Sequence, residues 1–139
     1  MSKTRNFSSL TLFTAAVAVA AWAATVPPAF ASQASLQGTW TEATQGNTIE
    51  IAPCAEPAEA LCVRVLADRP ERGQKSRAGA VVARALTATQ AQQWSGEFLG
   101  PEGQRFPMQI TLADTDRLTY KVCVLPRMCD GGAYTRVVP

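Results

Sequence analysis

The sequence predicts an all-β domain of seven or eight short antiparallel strands, closed as a barrel or stacked as a sandwich. Three observations carry the prediction. Trp94 to Ile110 holds a complete hairpin signal, short alternating runs recur at near-regular spacing on either side of it, and turn residues punctuate those runs.

The hairpin is the clearest element. Pro101 presets the backbone for the second position of a tight turn, and Gly103 tolerates the positive φ that closes it. Beyond the turn the chain alternates. Phe106, Met108, Ile110 and Leu112 point one way, while Arg105, Gln109 and Thr111 point the other. One face is dry and the other is wet.

The remaining elements follow in chain order. Residues 32–37 are a short polar lead. Gly38 to Glu42 reads as the first strand, with Trp40 inward. A turn with Gly46-Asn47 at its tip leads into Thr48 to Ala52, where Ile49 and Ile51 face in and Pro53 ends the strand. After a loop from Cys54 to Ala60, Leu61 to Leu66 is the third strand, with Leu61, Val63 and Val65 inward. Residues 67–79 form the most polar segment, where Arg69, Arg72, Lys75 and Arg77 stand among Asp68 and Glu71. A solvated surface loop is the preferred reading, with an anion-binding loop as the alternative.

Residues 80–93 are predicted as a short strand, Val81 to Ala83, followed by a helical turn. The segment is rich in Ala, Leu and Gln, and Thr87 with Gln90 has capping-box spacing. Ala113 to Arg117 is a turn. Leu118, Tyr120, Val122 and Val124 then face in on a returning strand. Pro126 to Gly132 is a loop, and Ala133 to Val138 is the last strand.

The chain opens with a targeting segment. Lys3 and Arg5 precede an apolar run from Leu10 to Thr25, and Ala29-Phe30-Ala31 fits a small-x-small cleavage rule. The expected cut follows Ala31, so residues 1–31 are a signal peptide and 32–139 a single domain. The apolar run is short for a membrane span, and no second one follows in the mature chain. No cysteine near the cut offers a lipid-anchor acceptor. The expected location is therefore periplasmic or secreted. Residues 1–31 hold two of the thirteen bases and no acid, so the mature chain is neutral and the excess of two positive charges vanishes. That argues against a nucleic-acid partner.

Four cysteines in a small exported chain read as disulfides. Of the three possible pairings, Cys54–Cys62 and Cys123–Cys129 are preferred, because each pair closes a short loop. Neither spacing matches the C-x2-C pairs of a zinc site, so no metal is expected. The chain has no histidine, which excludes histidine-based triads and histidine-ligated metals. No cofactor is expected.

An ordered set of motifs now lines up: Gly38-Thr39-Trp40, Ile49 to Cys54, Leu61-Cys62, Trp94-Ser95-Gly96 with Pro101-Glu102-Gly103, Leu118 to Cys123, and Thr135-Arg136. In this order they resemble the exported bacterial family catalogued as domain of unknown function 2147, of which the chain would be a divergent member. The family name implies no activity. A second resemblance concerns architecture. A Gly-x-Trp on the first strand and an Arg on the last is similar to the lipocalin (calycin) barrels. It implies a small antiparallel β-barrel of about eight strands, stabilised here by disulfides, in which Arg136 stacks on Trp40 as a cation–π pair.

No catalytic residue is assigned. Glu97, beside Trp94, is a lone acid without a named partner, which is more often a strand-surface residue than a general acid or base. Asp114 and Asp116 are too few for calcium and suit a turn. Ser76, next to Lys75, lacks a nucleophile elbow. The inward set Trp40, Phe98, Phe106, Met108, Ile110, Tyr120 and Tyr134 either lines a ligand cavity or fills the barrel. The leading expectation is non-catalytic binding of a small apolar or amphipathic ligand, with Trp40, Phe98, Phe106, Met108, Tyr120 and Tyr134 as candidate binding residues. The alternative is an envelope protein-interaction module, an inhibitor or assembly factor, with a filled core and Arg69 to Arg77 as its contact.

Overall fold

Eight strands close into an antiparallel barrel in which each strand bonds its sequence neighbours and the last returns to the first. The computed structural model describes residues 15–23 and 33–138. A one-turn helix, α1 (Gln33–Leu36), precedes β1 (Gly38–Thr41), β2 (Thr48–Pro53), β3 (Leu61–Ala67), β4 (Val81–Gln90), β5 (Gln93–Leu99), β6 (Arg105–Asp114), β7 (Arg117–Leu125) and β8 (Met128–Arg136). Residues 15–23 carry no regular structure and are exposed, and the expected cleavage site at Ala31 lies outside the described residues. No helix among the described residues is long and apolar enough to cross a membrane.

Successive strands are joined by local connections, so the turns fall alternately at two ends. One end, closed by α1, carries the β2–β3 loop and the β6–β7 turn. The open end carries the β1–β2 turn, the β3–β4 loop, and the β5–β6 and β7–β8 turns.

Period-two alternation builds the core, because alternate side chains of a strand point to one face. Ile49, Ile51, Leu61, Val63, Val65, Ile110, Leu112 and Leu118 are buried, each stabilising the fold by about 1.5–3 kcal/mol. Trp40 and Trp94 are fully enclosed. Leu36 of α1 plugs the closed end, where a polar lead was expected, and is also fully buried. The helical turn brings the Leu36 carbonyl to the Trp40 indole, whose Nε1 donates to it at 3.1 Å. The corresponding nitrogen of Trp94 has no partner among the described residues.

Arg136 seals this end. Its guanidinium carbon lies 4.2 Å from the Trp40 ring centroid. Nε donates to the Thr115 carbonyl at 2.9 Å, and Nη1 and Nη2 donate to the Gln37 and Ser35 carbonyls at 2.8 and 2.6 Å. Gly38 makes the room, since a Cβ there would lie 2.7 Å from Arg136 Nη1, and its φ of +140° suits glycine.

Both disulfides have the local pairing, Cys54–Cys62 around the β2–β3 loop and Cys123–Cys129 across the β7–β8 hairpin. Three sequence expectations need correction. Residues 81–90 form one strand, with no helical turn. A bulge at Ala85, with φ of 55°, breaks the alternation so that Ala83 and Leu86 are both buried, and a second register shift against Val63 and Arg64 buries Val82 as well. Gly96 on β5 accommodates the bulge, because a Cβ there would sit 2.6 Å from the Arg84 carbonyl oxygen. Residues 128–132 are strand, where a loop was expected, because Cys129 pairs directly with Cys123 in the ladder. Val124 is 57% exposed although its parity points inward, since it lies past the last β6–β7 pair, Met108 with Val122.

Candidate functional site

The open end gathers most of the candidate residues. Met108, Tyr120 and Tyr134 converge over a cavity of about 40 Å³ that is also bounded by Ile49, Val63 and Leu118. Phe98 and Phe106 face each other across β5 and β6, one pair below the β5–β6 connection. All five are half-buried, in contrast to the sealed closed end. Trp40 does not join them. It lies at the closed end beneath Arg136, with its ring face covered.

A cavity of this size holds a water molecule or two, whereas ligand pockets occupy about 300–1,000 Å³. The aromatic side chains themselves fill the space. The rings of Tyr120 and Tyr134 lie 5.7 Å apart at an interplanar angle of 47°. The Tyr120 ring occupies the place of a side chain on Gly132, where a Cβ would come within 3.0 Å of it. Burial, followed by the charges of the Tyr120 phenolate and the Glu42 carboxylate, holds the Tyr134 hydroxyl well above the ordinary tyrosine range. Burial, followed by the charges of Glu42 and Asp130, raises the Tyr120 hydroxyl in the same direction.

The rim is built differently. The β3–β4 loop, mostly exposed, is tied down at three points. Asp68 accepts hydrogen bonds from the Ser76 hydroxyl at 2.5 Å and the Arg77 amide at 2.7 Å. These bonds, the hydroxyl foremost, lower the Asp68 pKa from its ordinary value. The Arg69 amide donates to Asn47 Oδ1 of the β1–β2 turn at 3.2 Å. Arg77 reaches across the mouth, donates from Nη2 to the Leu99 carbonyl at 2.8 Å, and lies 5.9 Å from the Phe98 ring centroid. Between this loop, the β1–β2 turn and Pro101 runs an open groove of about 740 Å³, lined in part by Asn47, Arg69, Glu71, Lys75 and Ser76. Arg77 is the residue that sequence reasoning did not single out within the loop. Nothing in its local sequence distinguishes it from Arg69 or Arg72, because its role depends on a carbonyl 22 residues away.

The other acids stand apart from both regions. Glu97 lies on the outer wall, where Oε2 accepts from Arg84 Nε at 3.0 Å beside Ala85 and Gly96. Asp114 accepts the Asp116 amide at 2.8 Å, closing its own turn. Asp116 in turn faces Arg136 Nε at 3.8 Å. Ser76 donates a hydrogen bond to Asp68 and is occupied as a loop brace. In comparisons with known proteins, no family model, no curated protein and no solved structure matches this chain.

Proposed function

We propose that this chain is an exported, non-catalytic binding module that keeps a filled core and recognises a protein of the cell envelope through the rim of its barrel. The observation that carries this reading is the contrast in space. The cavity beneath Met108, Tyr120 and Tyr134 measures about 40 Å³, while the rim groove opens about 740 Å³ beside an ordered basic loop. The two disulfides suit an oxidising compartment. The ordered motifs support placing the chain beside the exported family of domain of unknown function 2147. Glu97 is held in an ion pair with Arg84 on the outer wall, away from the groove.

The rim chemistry suits an acidic surface. Arg69 and Lys75 face the groove, and Asp68 is already engaged within the loop. A pull-down from envelope extract with the wild-type chain and with Arg69→Ala/Lys75→Ala tests the proposal. The wild-type chain should retain a partner that the variant loses. Equal retention by both would reject the groove. A small apolar ligand in the mouth is the competing reading, favoured by the half-buried Met108, Tyr120 and Tyr134. A bound molecule in native mass spectra of the purified chain would decide for it.

A further inference from the structure

The strands of the barrel differ in height, and the difference leaves one edge unpaired. β1 and β8 pair only through Trp40 with Arg136 and Thr41 with Thr135. β1 then leaves for its turn, while β8, traced back from Thr135, extends beyond it toward the same end as far as Met128. Cys129 to Ala133 is therefore strand on its β7 side and free on the other, over roughly 17 Å at 3.3–3.4 Å per residue.

The direction of the free groups follows from alternation. The Val137 amide donates toward β1, to the Thr39 carbonyl, and the Arg136 amide donates toward the β6–β7 turn, to the Asp116 carbonyl. Odd-numbered residues of β8 thus aim N–H and C=O at the β1 side, and even-numbered ones at β7. Cys129, Gly131 and Ala133 point theirs past the end of β1. The Gly131 amide has only the neighbouring Asp130 Oδ1, at 3.2 Å. On the outward face these residues are a disulfide-bonded cysteine, a glycine and an alanine, so no bulky side chain shields the edge. Above it the hairpin tip exposes Val124, Leu125 and Met128, at 57%, 56% and 63%. The Cys123–Cys129 disulfide braces the hairpin at its tip.

We propose that the free edge of β8 from Cys129 to Ala133 is a strand-addition site, which takes an extended peptide segment of another protein as a ninth strand. Main-chain bonds to three alternate residues supply the binding, apolar side chains of the peptide cover the tip, and a basic residue answers Asp130. Two other occupants fit less well. A second copy paired about Gly131, the register that engages all three residues, sets Asp130 of each copy diagonally on one face, where like charges repel. A bilayer would take the apolar tip but leave the adjacent backbone groups without hydrogen-bond partners in hydrocarbon, which is unfavourable. This surface is separate from the groove of the β3–β4 loop, and the test reads the two independently.

The probe is a capped peptide, Lys-Thr-Val-Thr-Val-Thr-Val-Lys, titrated into isotope-labelled protein. The amides of Cys129, Gly131 and Ala133 should shift and gain protection from hydrogen exchange. N-methylation of one alternate set of peptide residues should weaken binding at least tenfold, and methylation of the other set should leave it unchanged. Ala133→Pro removes one edge donor without touching the β7 ladder and should also weaken binding at least tenfold. Arg69→Ala/Lys75→Ala should bind the peptide as the wild-type chain does. Four results would overturn the proposal. They are equal binding of both methylated peptides, shifts confined to residues 68–77, a sedimenting dimer whose edge amides are protected without peptide, or attachment to phosphatidylglycerol vesicles with no response to peptide.

Discussion

Arg136 and Arg77 each lie against an aromatic ring, at opposite ends of the same barrel. Arg136 stacks 4.2 Å from the Trp40 centroid and bonds three backbone carbonyls. Arg77 lies 5.9 Å from Phe98 and bonds one. All three guanidinium nitrogens are engaged in the first case and one in the second. The closed end is thus committed to stability, whereas the open end keeps donors and half-buried rings available for contact. Contact with a partner belongs where interactions are incomplete, since a group with every nitrogen engaged has less to offer.

Substitution at the two arginines tests that contrast most directly. Arg136→Ala should cost about 3 kcal/mol or more in chemical denaturation, because it frees three carbonyls and uncovers Trp40. Arg136→Lys should recover less than half of that, having the charge without the fork. Arg77→Ala should cost about 1 kcal/mol, the scale of a single net hydrogen bond. Equal losses at the two positions would remove the distinction between the ends.

A subtler effect belongs to the open end alone. Tyr120 and Tyr134 have folded-state pKa values raised above the ordinary tyrosine value. The folded chain then holds protons that the unfolded chain releases. Their contribution is fully present below about pH 10, the unfolded value, and is lost as pH rises through the folded values. Denaturation midpoints measured from pH 9 to 12 should fall less steeply in Tyr120→Phe/Tyr134→Phe than in the wild-type chain. Parallel curves would show that the two hydroxyls are not linked to folding.

Much of the fold was legible because its rules are local. Pro101 and Gly103 marked a real connection, and the parity of Ile49, Ile51, Val63, Val65 and Ile110 matched their burial. The Arg136–Trp40 contact was legible only through resemblance, as nothing local joins those residues. The misreadings share a cause in non-local pairing. Alanine and leucine in residues 80–93 favour helix, yet two flanking strands and a bulge at Ala85 hold the segment extended. Asp130, Gly131 and Gly132 are poor strand formers, kept in the ladder by β7 and the Cys123–Cys129 bond. The candidate site was harder still. Whether Met108, Tyr120 and Tyr134 line a pocket or fill one depends on volumes and ring orientations that no pattern of residues states.

The seam between β1 and β8 has one more consequence. Every other pairing joins strands adjacent in sequence, and the disulfides span only 8 and 6 residues. Closing the β1–β8 seam therefore rests on two ladder pairs and the Val137 amide bond to Thr39, against a loop-closure entropy of about 4 kcal/mol for a loop of this order. The bonds of Arg136 to Gln37 and Ser35 cross 99 and 101 residues at that seam. In entropic terms this one side chain acts as a noncovalent cross-link, alongside the short ladder, between the two ends of the domain.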